Sequence, residues 1–356
     1  MAATMAPAQA EIQVGVGTAL TGPFAAFGDE VRNGVEAAVE AINADGGING
    51  EEIVLQFADD ACDPKQGMAA ANQLVNQGIK YVIGHLCTGP SVPASDLYAE
   101  EDVIMITSTA TAPVVTERGL DNVFRVAGRD DQQAAVAADY IAQEYPDARI
   151  AVVHDKQSYG QGLAEATAQA LRDKGIEIAV QESVTAGESD FSALVTKLKN
   201  EGIGVLYYGG YHGEAGQIVR QMRAADLDTV LIGADGLNNT DFWNITGDAG
   251  EGTLFTFAPD PANNPASAQV VEQLEAENID PAFFTLYSYA AMQVLAEALK
   301  QAESLETPDV IDALREGTFD TVVGTIDFDD KGDLTDPAYV VYAWQDGGFE
   351  EITPAN

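Results

Sequence analysis

Basic side chains are scarce: 17 Lys and Arg stand against 57 Asp and Glu in 356 residues, a formal charge of −40. A surface of that sign repels phosphate backbones and anionic bilayers, which argues against nucleic acid or a membrane surface as partner. The acidic residues are scattered rather than blocked, so they describe a charged surface and not a disordered acidic tail. Such self-repulsion is best tolerated in salty surroundings, where the Debye length shrinks to roughly 3 Å near 1 M. Cysteine and histidine are scarcer still. Two cysteines alone do not make a structural zinc site, and the three histidines (His85, His154, His212) are widely separated. In an oxidising compartment Cys62 and Cys87 read as one disulfide. No run of about 18 apolar residues exists, so no helical membrane span is expected.

Catalytic and cofactor signatures are missing too. Gly15-Val16-Gly17 follows a strand-like run, but the third glycine of a dinucleotide fingerprint is absent and Pro23 interrupts the expected helix. No Gly-x-x-x-x-Gly-Lys-Ser/Thr run is present for nucleotide phosphates. Ser158-Tyr159-Gly160 lacks the glycine spacing of a nucleophile elbow. Asp59 and Asp60 are adjacent carboxylates, yet at a strand end beside Cys62 they read as caps for the next helix. The sequence therefore points to no enzyme, no cofactor and no metal.

What is present is enough chain for two domains, with 46% hydrophobic residues to fill their cores. Residues 2–10 are small and end in Ala8-Gln9-Ala10 before Glu11, like the cleavage end of a secretory signal. A plain flexible tail is the alternative; the signal reading makes the protein an exported one. Ile12 to Leu20 reads as a first strand, and residues 21–28 as a loop carrying Phe24 and Phe27. A helix follows with Val31, Val35, Ala38, Val39 and Ile42 at helical spacing, stopped by Gly46-Gly47. Ile53 to Phe57 is a second strand, Asp63-Pro64 opens a helix to about Gln77, and Val103 to Ile106 is a further strand. After a joint at Gly128-Arg129-Asp130-Asp131 the rhythm restarts: helix from Gln132, strand Arg149 to His154, helix Tyr159 to Lys174, a helix carrying Phe191, Leu194, Val195 and Leu198, then strands at 205–208 and 230–233. Helices near 266–277, 282–301 and 307–316 and a β-rich tail, 321–352, close the chain. Strand, helix, strand in this order means α/β domains with parallel sheets.

The stretch Tyr81 to Asp96 organises the first domain. It reads as a buried strand, a turn, and a helix entered through Thr88, Ser91 and two prolines. The unpaired N–H groups of a first helical turn attract an anion, and the turn lies at the carboxyl end of a strand, where such sheets bind ligands. Uncharged hydroxyls suit a carboxylate better than a phosphate, although an ordinary N-cap would carry the same residues. Other strand-end loops repeat the theme with Phe27, Thr109, Thr111, Tyr159, Tyr211 and Asp235, the last able to pair an ammonium. Together they suggest a cleft for a small zwitterion.

Asp59-Asp60-Ala61-Cys62-Asp63-Pro64-Lys65-Gln66, Tyr81-Val82-Ile83-Gly84-His85-Leu86-Cys87, Met105-Ile106-Thr107, His154-Asp155-Lys156-Gln157 and Tyr207-Tyr208-Gly209-Gly210-Tyr211-His212 resemble the periplasmic leucine/isoleucine/valine-binding proteins. The likeness runs from about Ile12 to Gly347. It implies the type I periplasmic binding protein fold: two Rossmann-like parallel-sheet lobes joined by a three-crossing hinge, with a cleft that closes on its ligand. Residues 11–128 plus 258–336 would form the N-terminal lobe and 129–257 plus 337–356 the C-terminal one. It further implies a monomer that serves the permease subunits of an ABC importer and resides in a Gram-negative periplasm. By position, Thr88 would bind the α-carboxylate, Thr111 both carboxylate and ammonium, Thr109 the ammonium through its carbonyl, and Asp235 the ammonium where the family has glutamate. Phe27, Leu86, Cys87, Tyr159, Tyr211 and Phe284 would form side-chain and closure contacts, with Ala110 between the two threonines. The expected ligand is a neutral aliphatic, branched-chain L-amino acid; an amide- or amino-acid-sensing regulator on the same fold is the alternative.

Overall fold

The computed structural model describes residues 11–352; the tail at 1–10, read above as a signal remnant, lies outside the described residues. Two compact units emerge, each taken here by itself. The first comprises residues 11–110, 114–127 and 260–335, the second residues 111–113, 128–259 and 336–352.

The first unit opens with β1 (Glu11–Thr18), α1 (Ala25–Ala44), β2 (Glu52–Asp59), α2 (Pro64–Asn76), β3 (Tyr81–Gly84), α3 (Thr88–Glu100), β4 (Ile104–Thr107) and β5 (Val123–Arg125). These strands form one parallel sheet in the order β2-β1-β3-β4-β5. Val14, Val16, Ile83, Ile104 and Ile106 are wholly buried, as a sheet with both faces covered requires. The valine stripe of α1 faces inward, and Phe27 and Gly28 already belong to that helix rather than to the expected loop, because α1 starts at Ala25.

The second unit continues with α4 (Asp130–Glu144), β6 (Ile150–His154), α5 (Ser158–Asp173), β7 (Ile178–Ser183), α6 (Ser192–Glu201), β8 (Val205–Gly209), α7 (His212–Ala224), β9 (Val230–Gly233), α8 (Thr240–Thr246) and β10 (Leu254–Phe257). The chain then returns to the first unit with α9 (Ala268–Ala276), α10 (Phe283–Gln301), α11 (Thr307–Glu316) and the hairpin β11 (Phe319–Thr321) and β12 (Gly324–Ile326). It ends in the second with β13 (Val340–Gln345) and β14 (Gly348–Ile352). The β-rich tail is thus divided between the units. The second sheet runs β14-β13-β10-β9-β8-β6-β7, parallel from β7 to β10 and antiparallel beyond. Trp344 anchors its core, wholly buried against Phe242, Phe255 and Phe349.

α10 packs along α1 at Gly34, where a Cβ would sit 2.0 Å from the Thr285 carbonyl oxygen; only glycine permits that approach. Cys62 and Cys87 are joined as expected, closing a 25-residue separation and tying the loop after β2 to the turn before α3. In the chain-entropy picture such a loop stabilises the fold by about 3 kcal/mol. Reduced protein should therefore unfold at a lower urea midpoint than oxidised protein, and equal midpoints would show that the crosslink adds nothing.

Candidate functional site

Both sheets change strand order once among their parallel members, and ligands of open α/β sheets bind at the carboxyl ends of strands flanking such a point. In the first unit β1 lies between β2 and β3, so the switch falls between β1 and β3. Phe27 follows the end of β1, and Leu86, Cys87 and Thr88 follow the end of β3. In the second unit the switch falls between β6 and β8; Tyr159 follows β6 and Tyr211 follows β8, while Asp235 follows the neighbouring β9.

The β3 turn is built from beneath. His85 is wholly buried, its Nδ1 2.7 Å from Asp60 Oδ2 and its Nε2 3.0 Å from the Tyr98 hydroxyl. Gly17 of β1 lies against the imidazole, leaving no room for a Cβ. Asp60 also accepts from the Cys62 N–H, so the triad and the disulfide fix one loop. Asp59 accepts from Leu20 N–H, the Thr21 hydroxyl and Ala61 N–H. Neither aspartate caps α2, contrary to expectation; Asp63 does so, through Lys65 and Gln66 N–H. The carboxylates instead hold together loops distant in sequence.

At the head of α3 the ordinary N-cap reading fails, since the cap position is Cys87 and no side chain caps it. Ser91, expected to offer a donor, is turned inward and donates to the Cys87 and His85 carbonyls. Thr88 is different: its hydroxyl is buried and has no partner. Thr109 donates to the Leu86 carbonyl at 2.7 Å, which leaves its backbone rather than its hydroxyl for other contacts. Phe27 and Phe284 meet edge to face at 5.3 Å. One turn beyond Phe27, Glu30 accepts from Phe284 N–H, and burial, then Asp280, push its carboxyl up to about 8. The sequence gives Glu30 and His85 no role, since a titratable residue inside an apolar pattern carries no signal of what packs around it.

Thr111, expected beside Thr88 and Thr109 on the first lobe, groups with the second unit. The reason is local: its carbonyl accepts from the Asp130 N–H at 3.0 Å. Its hydroxyl, like that of Thr88, is buried without a partner. Asp235 is 4% exposed and accepts from the Tyr159 hydroxyl and Gln133 Nε2, each at 2.8 Å. Burial raises its carboxyl to about 6, against the opposing pull of those hydrogen bonds. Tyr159 and Tyr211 pack at 4.9 Å between ring centres. No group of three or more His, Cys, Asp and Glu side chains among the described residues is placed to hold a metal.

The residues expected at the site offer an unpartnered hydroxyl in each unit, a buried acceptor at Asp235 and two aromatic pairs, each pair within one unit. A buried donor without a partner costs about 1–3 kcal/mol. The hydroxyls of Thr88 and Thr111, two of several described hydroxyls without a protein partner, lie in turns that follow strands.

The model of the periplasmic binding protein family matches residues 11–348. The chain is 48% identical over 342 residues to a Leu/Ile/Val-binding protein homolog of Brucella melitensis, covering 96% of this chain and 93% of that one. It is 46% identical, with the same coverage, to the Leu/Ile/Val-binding protein BraC3 of Rhizobium johnstonii. Among solved structures it superposes on a leucine-binding protein LivK of Thermotoga maritima with a TM-score of 0.90 at 27% identity, covering 96% and 98% of the two chains. The branched-chain amino acid binding protein LivJ of Streptococcus pneumoniae, solved with isoleucine, gives 0.86 at 25% identity, covering 97% and 100%.

Proposed function

The chain belongs to the periplasmic binding protein family, and from that premise we propose that it captures a neutral aliphatic L-amino acid in the periplasm and delivers it to the permease subunits of an ABC importer. The observation that carries this reading is the pair of buried, unpartnered hydroxyls at Thr88 and Thr111. They can supply uncharged donors to an α-carboxylate. Asp235 supplies the acceptor and counter-charge for the ammonium, and the Phe27–Phe284 and Tyr159–Tyr211 pairs supply apolar surface for a branched side chain. Thr88 and the Phe27–Phe284 pair belong to the first unit, and Thr111, Asp235 and the Tyr159–Tyr211 pair to the second. The names of the relatives support transport over the amide-sensing regulator. As a binder the protein returns its ligand unchanged.

Calorimetry with leucine, isoleucine and valine tests the reading, with mass spectrometry of the recovered ligand. Saturable binding without conversion is expected; turnover, or no heat with any amino acid, would sink it. Thr111→Ala should weaken binding about 10- to 100-fold, since a hydrogen bond to a charged group contributes about 1.5–3 kcal/mol. Its melting temperature should hold, because that hydroxyl bonds nothing in the protein.

A further inference from the structure

Two strand-end turns of the first unit are stitched to each other by threonine hydroxyls. Thr107 ends β4 and is wholly buried. Its hydroxyl donates to the carbonyl of His85, on the turn after the neighbouring strand β3, at 3.2 Å. The same oxygen accepts from Ala110 N–H at 3.0 Å and from Thr109 N–H at 3.4 Å. One donor and two acceptor positions are the full capacity of a hydroxyl, and all are in use. Two residues on, the Thr109 hydroxyl donates to the Leu86 carbonyl at 2.7 Å. The β4 turn thus grips two successive carbonyls of the β3 turn.

Each turn is also held from behind. On the β3 side, Ser91 donates to the His85 carbonyl, and the His85 ring is fixed by Asp60 and Tyr98. On the β4 side, the Ser108 hydroxyl lies 2.9 Å from that of Ser288 on α10, and Arg125 Nη1 donates to the Ala110 carbonyl at 3.1 Å. All these residues belong to the first unit. The parallel register of β3 with β4 runs to Ile83 and Ile106, one residue short of Thr107. Beyond the ladder, Thr107 and Thr109 take over the joining of the two chains.

The spacing has a chemical meaning. On the amino-acid reading above, the β3 turn offers Thr88 to the carboxylate and the β4 turn offers the Thr109 carbonyl to the ammonium. An α-amino acid carries those two groups on one carbon, whereas a β-amino acid sets them one methylene further apart. Turns held at a fixed spacing favour one separation over the other, because a preorganised site does not adjust to the second without loss.

We propose that the Thr107 and Thr109 side chains are positioning groups that set the spacing of the two turns and so select α- over β-amino acids. The inference rests on the amino-acid reading and adds to it Thr107, a role for the Thr109 hydroxyl and a substrate distinction.

The test compares L-leucine with its isomer 3-amino-4-methylpentanoate, the same skeleton with the amino group moved by one carbon, by calorimetry on the intact protein. The parent should prefer leucine. Thr107→Val keeps the shape and removes the hydroxyl. Thr109→Val removes the other tie, keeps the backbone carbonyl, and serves if the first variant does not fold. Each should narrow the preference about 3- to 10-fold, the range of one net neutral hydrogen bond, chiefly by weakening leucine. Thr107→Ser, which retains a hydroxyl, should restore it. Hydroxyls that only hold the fold together would lower the melting temperature and weaken both isomers alike. An equal loss for both isomers, an undiminished preference in both valine variants, or a parent without preference would overturn the proposal and leave the amino-acid reading standing. A parent protein that binds no amino acid would overturn both.

Discussion

Asp235→Asn is expected to weaken leucine binding roughly 30-fold or more and, in the ligand-free protein, to raise stability at neutral pH. The first effect follows from removing one partner of a desolvated charge pair, which costs about 2–5 kcal/mol. The second follows from linkage. Burial lifts the Asp235 carboxyl from 3.8 to about 6 in the folded protein. The folded state therefore holds this proton more tightly than the unfolded chain does. Stability from this group is highest below pH 4, declines as pH rises through 6, and is flat above. At pH 7.5 the raised carboxyl costs about 3 kcal/mol, taking about 1.4 kcal/mol for each tenfold change in proton affinity. Asparagine keeps an oxygen for Tyr159 and Gln133 without that cost. Melting of ligand-free protein should show the variant above the parent at pH 7.5 and the difference gone near pH 4. Leucine affinity of the parent should fall as pH drops through 6, where the counter-charge is lost. A variant that binds leucine as tightly as the parent would remove Asp235 from the site, and one that melts no higher at pH 7.5 would remove the desolvation argument.

The legible part of this protein lies where local pattern and tertiary role coincide. Tyr81 to Thr88 could be read because a buried run, a glycine and a proline-bearing helix start mark a strand-end turn in any α/β sheet. The illegible parts have specific causes. β7 is an edge strand whose apolar start, Ile178-Ala179-Val180, is only three residues long, and its Gln181, Glu182 and Ser183 are exposed, so the pattern announces it weakly. α7 begins with His212 and Gly213 and carries Gly216 inside, signals that weaken a helical reading although Ile218, Val219 and Met222 are buried. Placing the start of α4 at Gln132 hid Asp130, which is the first residue of that helix. Gln133 and Asp235 are 102 positions apart, and no local periodicity encodes that contact. Ser91 shows the converse: a hydroxyl at a helix start looks available in sequence but is consumed by the carbonyls behind it. Composition and spacing thus locate the turns, while the hydrogen-bond partners decide which of their groups remain free for a ligand.

The other large effect expected is on stability, at Arg125. This residue ends β5 and is 0% exposed, an extreme for a guanidinium. Its Nε donates to Asp333 Oδ1 at 2.9 Å, and Nη2 forms an ion pair with the same carboxylate. Nη2 also reaches the Thr116 hydroxyl at 3.0 Å, and that hydroxyl donates to Asp333 Oδ2 at 2.9 Å. Nη1 donates to the Ala110 carbonyl at 3.1 Å, and the backbone N–H of Arg125 donates to Gly332 at 2.8 Å. The guanidinium therefore ties β5 and the Asp329–Asp333 turn to the loop that carries Thr109 and Ala110. A buried pair of this kind adds little over an apolar replacement of both partners, but removing one partner leaves a buried charge and costs about 3–5 kcal/mol. Arg125→Met should lower the unfolding free energy by that amount, measured from the urea midpoint at constant slope. The double variant Arg125→Met with Asp333→Leu should recover part of the loss, because the orphaned carboxylate is gone. Leucine affinity in Arg125→Met, measured where the variant is still folded, should also fall, since the Ala110 carbonyl loses the donor that fixes its loop. A single variant with the parent's midpoint would show the pair to be dispensable, and a double variant weaker than the sum of both single changes would show that packing, not the stranded charge, sets the cost.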